Sequence, residues 1–256
     1  MKKYLFLLII MLATIPLVVV FYYRLDPSLL TKISFYLELA NPYVRIVRVE
    51  EGLRKEEVAE VMAKKLDWTP EDKNSFIGAN VEGHYFPKTY LIYKDEKPGT
   101  VVTTMSGELD KQISTIKKPQ LKNISESTAL KVASIIQREA AGKNDMRLIS
   151  GIIWNRIWSD MRLQVDATLQ YAKGSADDGW WEEVTSADKK IQSPYNTYLH
   201  VGLPPGAIAN PGADAIAAAY NPQKTSCLFY LHDKNRNIHC TKTYEEHKKN
   251  IEKYLK

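Results

Sequence analysis

Glu139 occupies a slot where helical periodicity asks for an apolar residue. In the segment 127-STALKVASIIQREAAG-142, Ala129, Val132, Ile135 and Ile136 form a stripe at i, i+3, i+4 spacing. The next slot on that stripe, seven residues after Val132, is Glu139. A helix that buries the stripe carries this carboxylate to the edge of the core, near its own C-terminal end. Desolvation and the negative pole of the helix dipole both oppose ionisation there. Such an environment suits a general acid that must hold its proton at neutral pH. The competing reading is a border glutamate that reaches out to solvent, the commoner fate of the type.

Polar groups suited to a sugar ligand lie further along. Tyr195, Asn196 and Tyr198 place an amide between phenols, and an amide both donates to and accepts from hydroxyl and acetamido groups. Gln164 and Asp166 add polar capacity in the LQVD stretch. Each also has a local reading: Asp166 as a helix cap, Asn196 as a turn former, the tyrosines as core. The loop 202-GLPPGAIANPG-212 carries prolines and glycines that fix an irregular backbone, as binding loops do. The segment 81-VEGHYFPKTYLIY-93 is dense in aromatics, which reads as a groove for a flat ligand or as a half-buried strand.

These residues need elements to position them. The sequence predicts a β-branched strand over 44–50, a turn at Glu51-Gly52 and a helix over 54–66. A helix over 101–116 follows, then the Glu139 helix with Gly142 as its left-handed stop. The next helix covers 145–159, capped by Asn144 or Asp145, and a short one begins with Asp166 at its N-cap. An Ala-rich helix, a hairpin at about 226–241 and a charged helix from Tyr244 close the chain. The expected fold class is α+β: one N-terminal transmembrane helix, a small strand–helix module, and a mixed α/β domain with several helices and a C-terminal hairpin.

The chain opens with Lys2 and Lys3 before an uncharged apolar run from Tyr4 to Tyr23, followed by Arg24. Its length matches the roughly 20 residues of a bilayer-crossing helix, and the preceding lysines put the N-terminus in the cytoplasm. An uncleaved anchor is the reading, with a cleaved signal as the alternative. The expected organisation is therefore an anchor over 1–24, a juxtamembrane spacer over 25–43, a module over 44–80 and a catalytic domain over 81–256 on the extracytoplasmic side. A 45% hydrophobic and 25% charged composition is that of a globular protein. The net charge of +5 is mild and scattered, and nothing reads as a nucleic-acid module. No Cys/His spacing suggests a metal, and no cofactor is expected. The two cysteines, Cys227 and Cys240, flank the expected hairpin, so a disulfide and two free thiols both stay open.

Taken together, ASIIQRE, GIIWNRI, MRLQVDATLQYA, YNTY and GLPPGAIANPG, in this order, resemble the endolytic murein transglycosylase (YceG-like) family, as do EGHYFPKTY and TKTYEEH. The resemblance covers about 44–256 and extends to the position of the anchor. It implies a membrane-anchored lytic transglycosylase that cuts peptidoglycan glycan strands internally, near the penicillin-binding synthases. It implies that Glu139 is the catalytic acid, being the second carboxylate of the family's ASI-(I/V)-E-x-E pattern, with Gln137 in place of the first. Glu82 falls on the glutamate of an EG-x-x-FP-x-TY segment and is expected to shape the same cleft. Gln164, Asp166, Tyr195, Asn196 and Tyr198 are expected to bind and orient the sugar. Lys88 stands where the family often has Asp, Ala167 where it often has Pro, and the region resembling a LysM module is reduced to one strand–helix unit.

The expected chemistry uses one acid. Glu139 protonates the glycosidic oxygen between N-acetylmuramic acid and N-acetylglucosamine, then accepts the proton of the muramic 6-hydroxyl as that oxygen closes a 1,6-anhydro ring. Two rivals differ in class: a hydrolase in which Glu82 or Asp166 supplies the usual second carboxylate, and a membrane-tethered glycan-binding scaffold without activity.

Overall fold

A computed structural model describes Thr14 and residues 27–256, apart from Lys117, Lys118 and Lys122. After helix α1 (Pro27–Leu39), strand β1 (Val44–Arg48) begins a strand–helix–helix–strand unit with α2 (Lys55–Leu66), α3 (Pro70–Gly78) and β2 (Thr89–Tyr93). β1 and β2 pair antiparallel, from Val44 opposite Tyr93 to Arg48 opposite Thr89, so the unit runs across position 80. α2 starts cleanly because Glu57 accepts from the Arg54 N–H at 2.9 Å. Thr69 does the same work for α3, accepting from the Asp72 N–H at 3.1 Å, with Pro70 at the first helical position. Their apolar faces meet in one cluster that includes Val47, Val58, Met62, Phe76 and Tyr85.

Helix α4 (Pro98–Ser114) links this cluster to a second one: Met105 packs in the first, Leu109 in the second. The second core gathers α5 (Glu126–Glu139), α6 (Met146–Trp158), α7 (Asp166–Lys173) and α8 (Ala213–Tyr220). Buried Ala215, Ala218 and Ala219 let α8 approach closely. Ser150 and Trp154 of α6 then donate to the Ala218 and Ala219 carbonyls at 2.7 and 3.0 Å. The hairpin β3 (Phe229–His232) and β4 (Ile238–Thr241) and helix α9 (Tyr244–Tyr254) complete the chain.

The structure corrects the expected fold class. It is mixed α/β, but among the described residues no helix is long and apolar enough to cross a membrane. α1 has 13 residues, too few for a bilayer. The apolar run from Tyr4 to Tyr23 lies outside the described residues, Thr14 apart.

Smaller expectations also shift. α5 ends because Ala140 turns extended (φ −71°, ψ 134°), and Gly142 is not left-handed. Val165, not Asp166, is the cap of α7, and Asp166 is its first residue. Asp145 holds the cap position of α6 without capping it, since its side chain turns back to the preceding loop. The aromatic segment is mostly core: Tyr85, Phe86 and Tyr90 are buried, and the Tyr85 and Tyr90 hydroxyls donate to the Phe76 and Phe86 carbonyls at 2.8 and 2.6 Å.

Cys227 and Cys240 form a disulfide across the base of the hairpin, with Cα atoms 5.8 Å apart. Replacing both by serine is expected to lower stability by about 3 kcal/mol, the loop-closure contribution for a link of this span. A denaturant midpoint that matches the parent's would contradict this.

Candidate active site

Glu139 is the last residue of α5 and opens onto a cavity of about 650 Å³. Six segments wall it: the end of α5, Arg156 of α6, the stretch Leu163–Asp166, Tyr198, the hairpin strand β3, and Tyr244 and His247 of α9. Tyr230 of β3 donates its hydroxyl to Glu139 Oε2 at 2.6 Å, a short contact that fixes one carboxyl oxygen. Burial pushes the Glu139 carboxyl above the usual range. The Tyr230 bond opposes this, nearby Asp166 adds to it, and the Ala167 N–H and His232 work against it. The helix terminus is the electrostatic setting foreseen from the sequence.

Two buried groups brace the wall. Arg156 of α6 donates from Nε to the Leu228 carbonyl at 2.6 Å and from its guanidinium to the Leu163 carbonyl at 2.5 Å. One cation thus ties the hairpin to the Gln164–Asp166 stretch. Asp145 accepts from the Ala141 and Gly142 N–H groups at 3.0 and 3.2 Å and contacts His232 Nε2 at 2.7 Å. This pair pins the loop after Glu139 to the far end of β3.

Of the residues singled out from the sequence, Glu139, Gln164, Asp166 and Tyr198 share this cavity. Tyr198 donates to Asp166 Oδ1 at 2.6 Å. Gln164 is left-handed (φ 51°) while its N–H donates to the Thr197 carbonyl at 3.1 Å. A non-glycine residue held so costs on the order of 1 kcal/mol, and such positions cluster at functional sites. Asn196 lies outside the cavity lining. It is fully buried, its amide donates to the Lys189 and Ile191 carbonyls at 3.2 and 2.8 Å, and its oxygen accepts from the Tyr198 N–H at 2.9 Å. It shapes the turn that presents Tyr198.

Glu82 and Tyr195 line a different cavity, of about 390 Å³. Glu82 accepts from the Lys55 N–H at 3.0 Å and from the Asn210 amide at 2.8 Å. Asn210 also joins the proline loop to the first unit, exchanging backbone bonds with Gly52 and Leu53 at 2.8 Å each. The rear of that loop is therefore a buried stitch. Gly83 (φ +91°) is required beside it, where a Cβ would sit 2.8 Å from that of Ala207. Gln137 also serves the loop, accepting from the Gly212 N–H at 3.0 Å.

Burial raises the Glu82 carboxyl to about 7 from a reference of 4.5. The folded chain then binds this proton more tightly than the unfolded chain. Stability is greatest below the unfolded value and falls as pH rises from 4.5 toward 7, by about 3 kcal/mol at most. Glu82→Gln is expected to flatten that slope in denaturation measured across the window, and an unchanged slope would refute the assignment.

Sequence reasoning missed Tyr230, His232, Asp145 and Arg156. Tyr230 and His232 stand two apart on a strand, which places them on one face. That alternation was the available signal.

A carboxyl biased toward its protonated form in a chamber lined by phenol, carboxylate and amide groups is equipped for general-acid chemistry on a polyhydroxylated ligand. The YceG-like family matches residues 21–253, and the chain belongs to this family. It is 38% identical over 184 residues to an endolytic murein transglycosylase of Bacillus subtilis, covering 71% of this chain and 50% of the relative. It is 32% identical over 189 residues to one of Streptococcus pneumoniae, covering 72% of this chain and 34% of the relative. The chain thus spans half or less of the length of these curated relatives. A crystal structure of a putative YceG-like protein from Listeria monocytogenes superposes with a TM-score of 0.69 at 29% identity, over 80% of this chain and 75% of that one.

Proposed function

We propose that this chain is an endolytic peptidoglycan lytic transglycosylase with Glu139 as its single acid and base. The observation that carries this reading is the Glu139 carboxyl, held by Tyr230 at 2.6 Å on the wall of a cavity of about 650 Å³. The names of the relatives support the substrate. Protonated Glu139 gives its proton to the glycosidic oxygen of an N-acetylmuramic acid residue. The glycosidic bond breaks, and the Glu139 carboxylate takes the proton of that residue's 6-hydroxyl. The hydroxyl oxygen bonds to the anomeric carbon, and Glu139 is protonated again. No water is consumed.

Tyr230 keeps one oxygen as acceptor, leaving the other free to carry the moving proton. Arg156 supplies positive character for the moment when Glu139 is anionic. Gln164, Asp166 and Tyr198 orient the sugar, and Asn196 sets the turn that carries Tyr198. The disulfide supports work outside the reducing cytoplasm. Activity beside the penicillin-binding synthases rests on the family resemblance alone.

Mass spectrometry of fragments released from purified glycan strands tests the reading. Products ending in 1,6-anhydro-muramic acid are expected. Asp166 favours a second reading, because it shares the cavity and its charge acts on Glu139. In that reading Asp166 activates water, and reducing ends heavier by one water would establish it.

A further inference from the structure

The second cavity has the makings of a binding site separate from the one at Glu139. Two phenols line it, Tyr171 and Tyr195, with ring centroids 4.8 Å apart, and the Arg54 guanidinium lies over the Tyr171 ring at 4.1 Å. Gly206 lets the proline loop lie against this pair, since a Cβ there would sit 2.9 Å from the Tyr195 hydroxyl. Lys55 and Lys131 belong to its lining, and neither is in an ion pair among the described residues. The one carboxylate present, Glu82, is more than nine-tenths buried and spends its oxygens on the Lys55 N–H and the Asn210 amide. The lysine ammonium groups are thus left for something from outside. Phenol edges and hydroxyls suit a sugar, and unpaired ammonium groups take an acid.

The same elements wall both cavities. α5 runs from Ser127 and Lys131 at the second to Glu139 at the first, about 12–18 Å along the helix. α7 carries Asp166 at one and Tyr171 at the other, and the 195–198 turn gives Tyr195 to one and Tyr198 to the other. A ligand held at the second cavity is therefore within a few sugar lengths of Glu139.

We infer that the cavity of Lys55, Lys131, Tyr171 and Tyr195 is a second glycan site, which takes a carboxylate-bearing sugar of the same strand at a distance from the bond being cut. This deepens the proposed function and rests on it. The two phenols border the sugar, and Lys131 and Lys55 meet the lactyl or stem-peptide carboxylate. The site selects acidic strands over neutral ones and holds the polymer after one cut.

The test is calorimetric binding to the full chain carrying Glu139→Gln, so that ligands stay intact. Three glycans of equal length are compared: an acidic murein fragment, the same fragment with its carboxylates amidated, and a neutral chitin oligosaccharide. Adding Lys131→Gln is expected to weaken the acidic fragment about tenfold and to leave the two neutral ligands within twofold. Lys55→Gln, which keeps the backbone N–H that Glu82 uses, is expected to act in the same direction. An unchanged denaturation midpoint secures the fold of each variant. The inference is overturned if the acidic fragment binds both variants as well as it binds the parent, if all three glycans weaken together, or if the parent binds none of them. Equal competition by a soluble polyglycerol phosphate also overturns it, because the site would then be one for free polyanions. Failure of the proposed function looks different: the wild-type chain would release no fragments while the charge-selective binding persisted.

Discussion

Glu139→Gln is expected to lower strand cleavage by about a thousandfold, within the range that a positioned general acid contributes. The amide keeps the shape of the side chain and still accepts from Tyr230, so the denaturation midpoint should hold. What disappears is the proton. No other carboxyl takes its place, because Asp166 is engaged by the Tyr198 hydroxyl and Glu82 opens onto another cavity. Release of anhydro fragments by the purified variant at more than a tenth of the parental rate would remove Glu139 from the chemistry.

Tyr230→Phe is expected to act on the same step by a different route. It deletes one hydrogen bond of 2.6 Å to a carboxyl and leaves the ring in place. Bonds of this kind carry roughly 1.5–3 kcal/mol, so kcat should fall about tenfold to a hundredfold. The direction of the pH shift separates positioning from mere packing. The Tyr230 bond favours the ionised form of Glu139 and so pulls its pKa down against burial. Without it the carboxyl holds its proton to higher pH. Activity that needs a protonated acid falls on the alkaline side as that proton is lost, so the alkaline limb of kcat/KM should move upward in the variant. A limb that stays fixed, or one that moves down, would show that Tyr230 does not hold the acid.

Much of this site could be read from single stretches of sequence. The stripe through Val132, Ile135 and Ile136 located Glu139, because period and burial are local properties of a helix. The dense polar residues around Tyr198 and Asp166 were equally visible. Two things were not. The partner of Glu139 lies 91 residues away on a strand, and that of Asp145 lies 87 away, distances at which no spacing rule operates. Nor does residue type reveal whether a buried amide or carboxyl is already satisfied. Asn196 and Glu82 looked ready for a ligand, but their hydrogen-bonding capacity is used by the Ile191 carbonyl and the Lys55 N–H among others. At the level of fold, α2 and α4 to α9 were legible from stripes and composition, whereas α1, inside the expected spacer, and α3 were not. The pairing of β1 with β2 across two intervening helices was not, since either strand alone is only five residues long.

The hairpin also bears on the order in which the surroundings of Glu139 are assembled. Glu139 is synthesised 91 residues before Tyr230, whose phenol holds it, and the hairpin that carries this phenol is stapled only after Cys240 has followed. A nascent or truncated product lacking the hairpin therefore carries Glu139 without that hydrogen bond, and this wall of the cavity closes only after the hairpin has been made and oxidised.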